Sequence, residues 1–198
     1  GTRNTAVGHQ AGDAITTGNL NTAMGFQSLF NNTTGSLNVA IGDYSSDANT
    51  TGTRNASLGS ESLGSNTTGN DNTGIGQCAL KTNTTASENT AVGSHAMKLN
   101  TTGAENTALG VNALCTNTTG DKNTAIGKGG LDSNTTGDDN VAVGFASLAA
   151  NTTGNSATAV GCGALTKQTT PTDNTAIGKI AACATTTGDY TVAVGVGA

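Results

Sequence analysis

The stretch that decides the fold is NTALGVNALCTNTTG, residues 106–120, because a near copy, NTAVGSHAMKLNTTG, occupies residues 89–103. The glycine that ends each NTAVG-like segment recurs every 17 residues, with no insertion or deletion. These anchor glycines are Gly8, Gly25, Gly42, Gly59, Gly76, Gly93, Gly110, Gly127, Gly144, Gly161, Gly178 and Gly195. A short exact period is typical of solenoids, in which each repeat stacks on its neighbours. Residues 1–198 are therefore predicted to form one tandem-repeat unit.

The consensus NTAVGxxALxxNTTGxx is numbered here from its first Asn, so that the anchor glycine is position 5. Position 4 is always aliphatic or Met, and position 2 is Thr, Val or Ala. Because alternate residues of a strand share a face, positions 2 and 4 are predicted to point into the core. Position 3 is Ala except at Ser57 and Gly74, which predicts that something packs closely against the other face of the strand.

Three further features complete the predicted coil. The mostly Leu column at position 9 is expected to point inward, and the NTT segment at positions 12–14 is expected to be extended. Glycines at positions 5 and 15 are expected to supply positive φ angles, with Ala86 and Pro171 departing at position 15. The Asn column at position 1 predicts an amide ladder between coils, interrupted at Ala157 and Thr191.

These features predict an all-β parallel β-solenoid of about 12 coils. Stacking at about 4.8 Å would give a rod on the order of 55 Å long. Neither end carries a visible cap, so the chain is expected to be a section of a longer fibre. Each coil has only about two large apolar side chains, so association of several chains is also expected.

Composition narrows the classes of function. The net charge of -5 argues against binding to a phosphate backbone, so no nucleic-acid partner is expected. No apolar run is long enough to span a bilayer, so membrane insertion is not expected either.

The repeat resembles those of phage tail-fibre proteins and, more loosely, the head repeats of trimeric autotransporter adhesins. The resemblance covers essentially the whole chain, although adhesin-head units are usually shorter than 17 residues. It implies a homotrimer of left-handed parallel β-rolls in a virion or cell-surface fibre. The implied partners are further copies of the chain and a cell-surface glycan or protein receptor.

The turn after each anchor glycine varies from coil to coil, and we expect any receptor contact to lie there. A tolerated surface would vary in the same way. The candidate display residues are His9, Gln10, Phe26, Gln27, Asp43, Tyr44 and Phe145.

The residues that carry chemistry do not form a recognisable catalytic or metal site, so no enzyme and no cofactor are predicted. His9 and His95 are five coils apart, and the carboxylates after NTTG alternate with Asn, Leu, Arg and Lys, as on a solvated edge. A calcium site between coils is a weaker alternative because Asp does not recur at a fixed position, and a carbohydrate-cleaving site is weaker because no regular carboxylate pair adjoins an aromatic platform. The cysteines share no column in adjacent coils and are predicted to be free, with a bridge between chains as the alternative. They are Cys78, Cys115, Cys162 and Cys183.

The NTT segment suggests two further hypotheses. It is formally an N-glycosylation acceptor, although the motif follows from the repeat itself. The acceptor residues are Asn32, Asn49, Asn66, Asn83, Asn100, Asn117, Asn134 and Asn151. The alternative to a fibre is an ice-binding solenoid, if these Asn and the second Thr of each NTT face outward as a flat two-column array.

Overall fold

The computed structural model describes residues 1–170 and 172–198, which form a β-solenoid built on one sheet of twelve parallel strands in sequence order. The strands are β1 (Thr5–Val7), β2 (Thr22–Met24), β3 (Val39–Ile41), β4 (Ala56–Leu58), β5 (Thr73–Ile75), β6 (Thr90–Val92), β7 (Thr107–Leu109), β8 (Thr124–Ile126), β9 (Val141–Val143), β10 (Thr158–Val160), β11 (Thr175–Ile177) and β12 (Val192–Val194). Each residue pairs with the one 17 positions later, as Thr107 does with Thr124. The prediction of a parallel β-solenoid with a 17-residue repeat is confirmed.

The face of the strand that points inward is the opposite of the predicted one. Ala108, Ala125 and Ala142 at position 3 are fully buried, whereas Ile126 at position 4 is 39% exposed. The other side chains at position 4 are also exposed or only half-buried. The aliphatic column therefore lies on the outside of the rod, and the prediction that positions 2 and 4 form the core was wrong.

The thinness of the coil explains this reversal. At Gly74, an added Cβ atom would lie 3.4 Å from Leu63 Cγ and 2.8 Å from Ser62 Oγ. The space between the sheet and the opposite wall therefore holds about one methyl group. Burial favours bulky apolar residues in general, but here Ala is the largest common residue that fits.

The Leu column at position 9 forms the opposite wall of the interior, as predicted. Leu114 and Leu131 are fully buried, and Ala113 beside Leu114 is buried as well. Leu114 has a φ of 52°, a left-handed conformation that is rare for a bulky residue. Its N–H donates to Gly130 O of the next coil at 3.0 Å, so hydrogen bonding between coils supports the strained backbone.

Two buried Asn columns run along the rod. At position 1, the amide of Asn123 donates to Gly137 O at 2.8 Å, and Asn106 Oδ1 accepts from the backbone N–H of Asn123 at 2.8 Å. The predicted ladder at position 1 therefore exists, although its main bonds go to backbone atoms. At position 12, Asn117 Nδ2 donates to Asn100 Oδ1 at 2.9 Å, which forms a direct amide ladder that the sequence analysis missed.

The NTT segment is a corner rather than the extended segment that was predicted. The backbone N–H groups of Thr118 and Thr119 and the hydroxyl of Thr118 all donate to Thr135 O, at 2.9, 3.1 and 2.9 Å. Three donors that converge on one carbonyl bend the chain, and the second Thr is left exposed.

The glycines at the two corners have different roles. Gly110 at position 5 has a φ of 141°, as predicted for a turn. Gly120 at position 15 is not in the left-handed region, and the prediction of positive φ was wrong there. An added Cβ on Gly120 would lie 2.4 Å from Gly137 O, so close stacking of coils excludes a side chain. Pro171, a predicted departure at this position, lies outside the described residues.

Candidate functional site: the display turn and the Tyr44 depression

The predicted display turn lies on the surface at positions 6 and 7, directly after the anchor glycine. Position 7 is left-handed in every coil, with φ of 57° at Gln10 and 56° at Tyr44. This conformation turns the chain sharply after the strand, and the side chains at both positions are mostly exposed or half-buried, with Cys78 at position 7 as a buried exception. His9, Gln10, Phe26, Asp43 and Tyr44 are exposed.

The structure brings six of the seven predicted display residues together on three consecutive coils. His9 and Phe26 stack with ring centroids 5.5 Å apart, and Phe26 meets Tyr44 edge-to-face at 5.2 Å. Gln27 Nε2 donates to Gln10 Oε1 at 2.7 Å, and the backbone N–H of Phe26 donates to Asp43 Oδ1 at 3.1 Å. Phe145 lies seven coils beyond Phe26, roughly 34 Å away at the usual strand spacing.

A surface depression of about 360 Å³ adjoins the last of these rings, and we call it the Tyr44 depression. Its volume is at the lower end of the range for small-molecule sites. Tyr44 forms one wall, and polar side chains from three successive coils form most of the rest. Its lining residues are Tyr44, Asp47, Ala48, Glu61, Gly64, Ser65 and Lys81.

Gly64 creates the depression. It occupies position 10, where other coils carry Phe30, Lys98 or Thr166. A Cβ atom added at Gly64 would lie 3.3 Å from Glu61 O and 3.4 Å from Asp47 Oδ1. The missing side chain therefore leaves space beneath the Asp47 carboxylate that most other coils fill.

The charges of the depression are unevenly compensated. The Lys81 ammonium forms an ion pair with Glu61 and lowers the pKa of that carboxyl. Burial raises the pKa of Asp47, which lies in the turn beside Tyr44. The thiol of Cys78 donates to Glu61 Oε2 at 3.6 Å, and burial together with Glu61 raises its pKa. Two carboxylates and one ammonium leave this surface with a net negative charge.

Buried serines replace apolar residues in the coils behind the depression. Ser46 stands where most coils have Leu, and Ser57 stands where most have Ala. Ser45 Oγ and Ser46 Oγ lie 2.7 and 2.8 Å from Ser57 Oγ. The repeat therefore departs from its consensus in the interior and on the surface of the same coils.

The structure also places the other residues that the sequence singled out. All eight Asn of the formal glycosylation motif are 0–1% exposed and belong to the position 12 ladder. A glycan on any of these amides would have to occupy the interior. All four cysteines are free, and Cys162 is exposed.

The acidic edge has a structural role that the sequence analysis missed. Asp121 Oδ1 accepts from the backbone N–H of Ala104 at 2.7 Å, and Asp138 Oδ1 accepts from that of Asp121 at 2.8 Å. These carboxylates therefore link neighbouring coils. Within residues 1–170 and 172–198, no group of three His, Cys, Asp or Glu side chains is placed to hold a metal ion.

A regular surface runs along the rod, and we call it the outer strand face; it consists of positions 2 and 4 of all twelve strands. It presents Thr, Val or Ala beside an aliphatic residue or Met, and no strand contains a charged residue. Among the exposed side chains at position 4 are Met24, Leu58, Ile75, Ile126 and Ile177.

No family model, curated protein or solved structure matches the chain. Within the described part of the chain, no helix is long and apolar enough to cross a membrane. Two surfaces of the rod therefore stand out as candidates for binding, the outer strand face and the display turn with its depression.

Proposed function

We propose that the chain is a stiff segment of an extended virion or cell-surface fibre, and that copies of it associate through the outer strand face. The observation that carries this proposal is the aliphatic column at position 4, which lies on the outside of the rod along its whole length. The number of repeats then sets the length of the segment.

The size and composition of the outer strand face support self-association. Twelve strands at about 4.8 Å form a strip roughly 53 Å long and 10 Å wide, or on the order of 500 Å². The position 4 column forms a continuous apolar stripe over about half of this strip, and exposed apolar surface of a few hundred Å² is typical of interaction sites. The centres of protein interfaces are depleted of charge, and this face has none in its strands.

The fold itself supports a mechanical role. Each coil is joined to the next by strand pairing, by two Asn columns and by the corner carbonyls, so the hydrogen bonds run along the rod axis. The sequence resemblance implies three copies, and a threefold assembly would turn three outer strand faces towards one another.

Analytical ultracentrifugation tests the proposal with matched variants. The wild-type chain is expected to sediment as an oligomer, and the double variant Leu109→Lys/Ile126→Lys as a folded monomer. The control Thr119→Lys/Thr136→Lys places the same charges on exposed residues of neighbouring coils, away from the strand. It is expected to keep the wild-type sedimentation. A monomeric wild-type chain, or equal dissociation by both double variants, would refute the proposal.

A second candidate, binding to ice, is favoured by one observation. The flat array proposed from the sequence, Asn and second Thr of NTT, does not exist because those Asn are buried. The outer strand face instead offers two uncharged columns, with Thr in positions such as Thr107, Thr124 and Thr158. Thermal hysteresis measured on the ultracentrifugation samples separates the candidates. Activity from a monomeric wild-type chain would favour ice, whereas an inactive oligomer would favour the fibre.

A further inference from the structure

We propose that the Tyr44 depression, together with the stacked rings of His9 and Phe26, is a binding site for a neutral saccharide. The site lies in the display turn and not on the outer strand face. This inference is therefore separate from self-association, and either proposal can fail without the other.

The shape of the surface suits a sugar chain. His9, Phe26 and Tyr44 stand on three successive coils, so their rings extend over roughly 10 Å along the rod axis at the usual coil spacing. Phe26 is 37% and Tyr44 40% exposed. Phe26 packs between the other two rings, whereas Tyr44 lies at 76° to it and offers a partly exposed apolar face on which the C–H face of a pyranose can pack. The depression beyond Tyr44 would hold the terminal ring.

The polar lining provides both kinds of hydrogen-bonding group that sugar hydroxyls need. The carboxylates of Asp47 and Glu61 accept, and an ionised carboxylate has about four acceptor sites, so an ion pair leaves capacity for a ligand. Lys81 can donate, and the hydroxyl of Ser65 can do either. These groups come from three coils, so they surround the space above Gly64.

The charge of the lining selects the class of saccharide. Glu61 and Lys81 form an ion pair, and the second carboxylate, Asp47, leaves the lining with one net negative charge. A sialic acid, uronic acid or sulfated sugar would bring a second negative charge towards Asp47. The site is therefore expected to bind neutral hexose or N-acetylhexosamine chains in preference to acidic ones.

Two substitutions are expected to disturb the site with little backbone strain, because other coils carry the new residue at the same repeat position. Ala146 occupies the same left-handed position as Tyr44, with φ of 51°, so Tyr44→Ala fits the backbone. Thr166 occupies the same repeat position as Gly64, and Gly64 has no positive φ, so Gly64→Thr fits as well and fills the depression. Phe145→Ala is the matched control, because Phe145 is an exposed display-turn ring far from the depression.

The test begins with an array of neutral, sialylated and sulfated glycans, followed by calorimetric titration of the best neutral ligand. Wild-type protein is expected to bind neutral glycans. Tyr44→Ala and Gly64→Thr are expected to weaken binding by about tenfold or more, the loss expected when a central contact is removed. Phe145→Ala is expected to bind like the wild type.

Several outcomes would overturn the proposal. They are no binding to any neutral glycan, a preference for acidic glycans, undiminished binding by Gly64→Thr, or equal loss on Phe145→Ala. Circular dichroism and sedimentation of the same variants check that fold and association are unchanged. A monomeric protein that still binds neutral glycans would refute the fibre proposal alone.

Discussion

The inner and outer faces of the sheet arise from the same three-residue strands but accept different side chains. Inside, position 3 is Ala in ten of the twelve strands, and the two exceptions, Ser57 and Gly74, are also small. Outside, position 4 varies among Val, Met, Ile and Leu. The inner face is limited by the opposite wall of a thin coil, whereas the side chains of the outer face are exposed or half-buried. Uniform residues therefore indicate contact, and variable apolar residues indicate a surface available to another molecule.

The largest expected effect comes from breaking the buried ladder that closes the interior. Asn117→Ala removes a donor to Asn100 Oδ1 and Gly120 O and an acceptor for Asn134 Nδ2. Each buried polar group left unpaired costs about 1–3 kcal/mol, so the free energy of unfolding should fall by roughly 3 kcal/mol or more. Urea unfolding followed by circular dichroism measures the change.

The control for the ladder is Thr119→Ala, an exposed residue in the same coil. It should change the free energy of unfolding by no more than about 0.5 kcal/mol. Similar losses of unfolding free energy for Asn117→Ala and Thr119→Ala would show that the buried ladder stabilises the protein no more than an exposed residue does.

An intermediate loss of stability is expected when one side chain on the inner face of a strand is enlarged. Ala125→Val adds two methyl groups to a fully buried position, and overpacking of this kind costs about 1–3 kcal/mol. Thr124→Val changes the neighbouring residue, whose side chain points outward, and should stay within about 0.5 kcal/mol of wild type. Thermal unfolding of the two variants compares the faces directly, and a tolerated Ala125→Val would contradict the thin interior.

The smallest change in stability is expected when a partly buried carboxylate on the wall opposite the sheet, that of Asp132, is replaced by a neutral amide. Burial raises the pKa of Asp132 in the folded chain, so the folded state holds the proton more tightly than the unfolded state. Stability from this group is present at low pH and is lost as pH rises from about 3.9 through the higher folded pKa. Asp132→Asn should therefore stabilise the protein at neutral pH by less than about 1 kcal/mol.

The pH dependence of that difference provides the test. Urea unfolding should show that the gain from Asp132→Asn disappears below about pH 3, where the carboxyl is protonated in both states. Asp139 is exposed and lies in the turn before β9. Asp139→Asn should therefore show no comparable gain in the free energy of unfolding at neutral pH. A gain that persists at low pH would assign the effect to something other than charge burial.

Much of the fold could be predicted because stacking makes the 17-residue period visible in every column. The parallel strands, the buried Leu column and the position 1 Asn column follow from recurrence of residue type. The orientation of the strand could not be predicted in this way, since alternation shows that two faces differ but not which one is inside. The usual preference for bulky cores gave the wrong answer for Ala125 and Ile126.

The candidate site was only partly visible in the sequence. The variable turn indicated His9, Phe26 and Tyr44 as display residues. The depression was missed, because Gly64 and Lys81 are 17 residues apart and meet only when coils stack. A signal was nevertheless present, since Gly64 is small at a position where most coils carry a larger side chain.

The sequence by itself determined the period, the parallel stacking of strands and the place of the variable turns, because each of these repeats along the chain. Only the tertiary structure decided which side of the strand is enclosed, that the NTT amides are buried, and that Tyr44, Asp47, Glu61 and Lys81 border one depression. The physical reason is distance across the coil. The space between the sheet and its opposite wall admits Ala and excludes Ile, and no recurrence within the repeat reports that width.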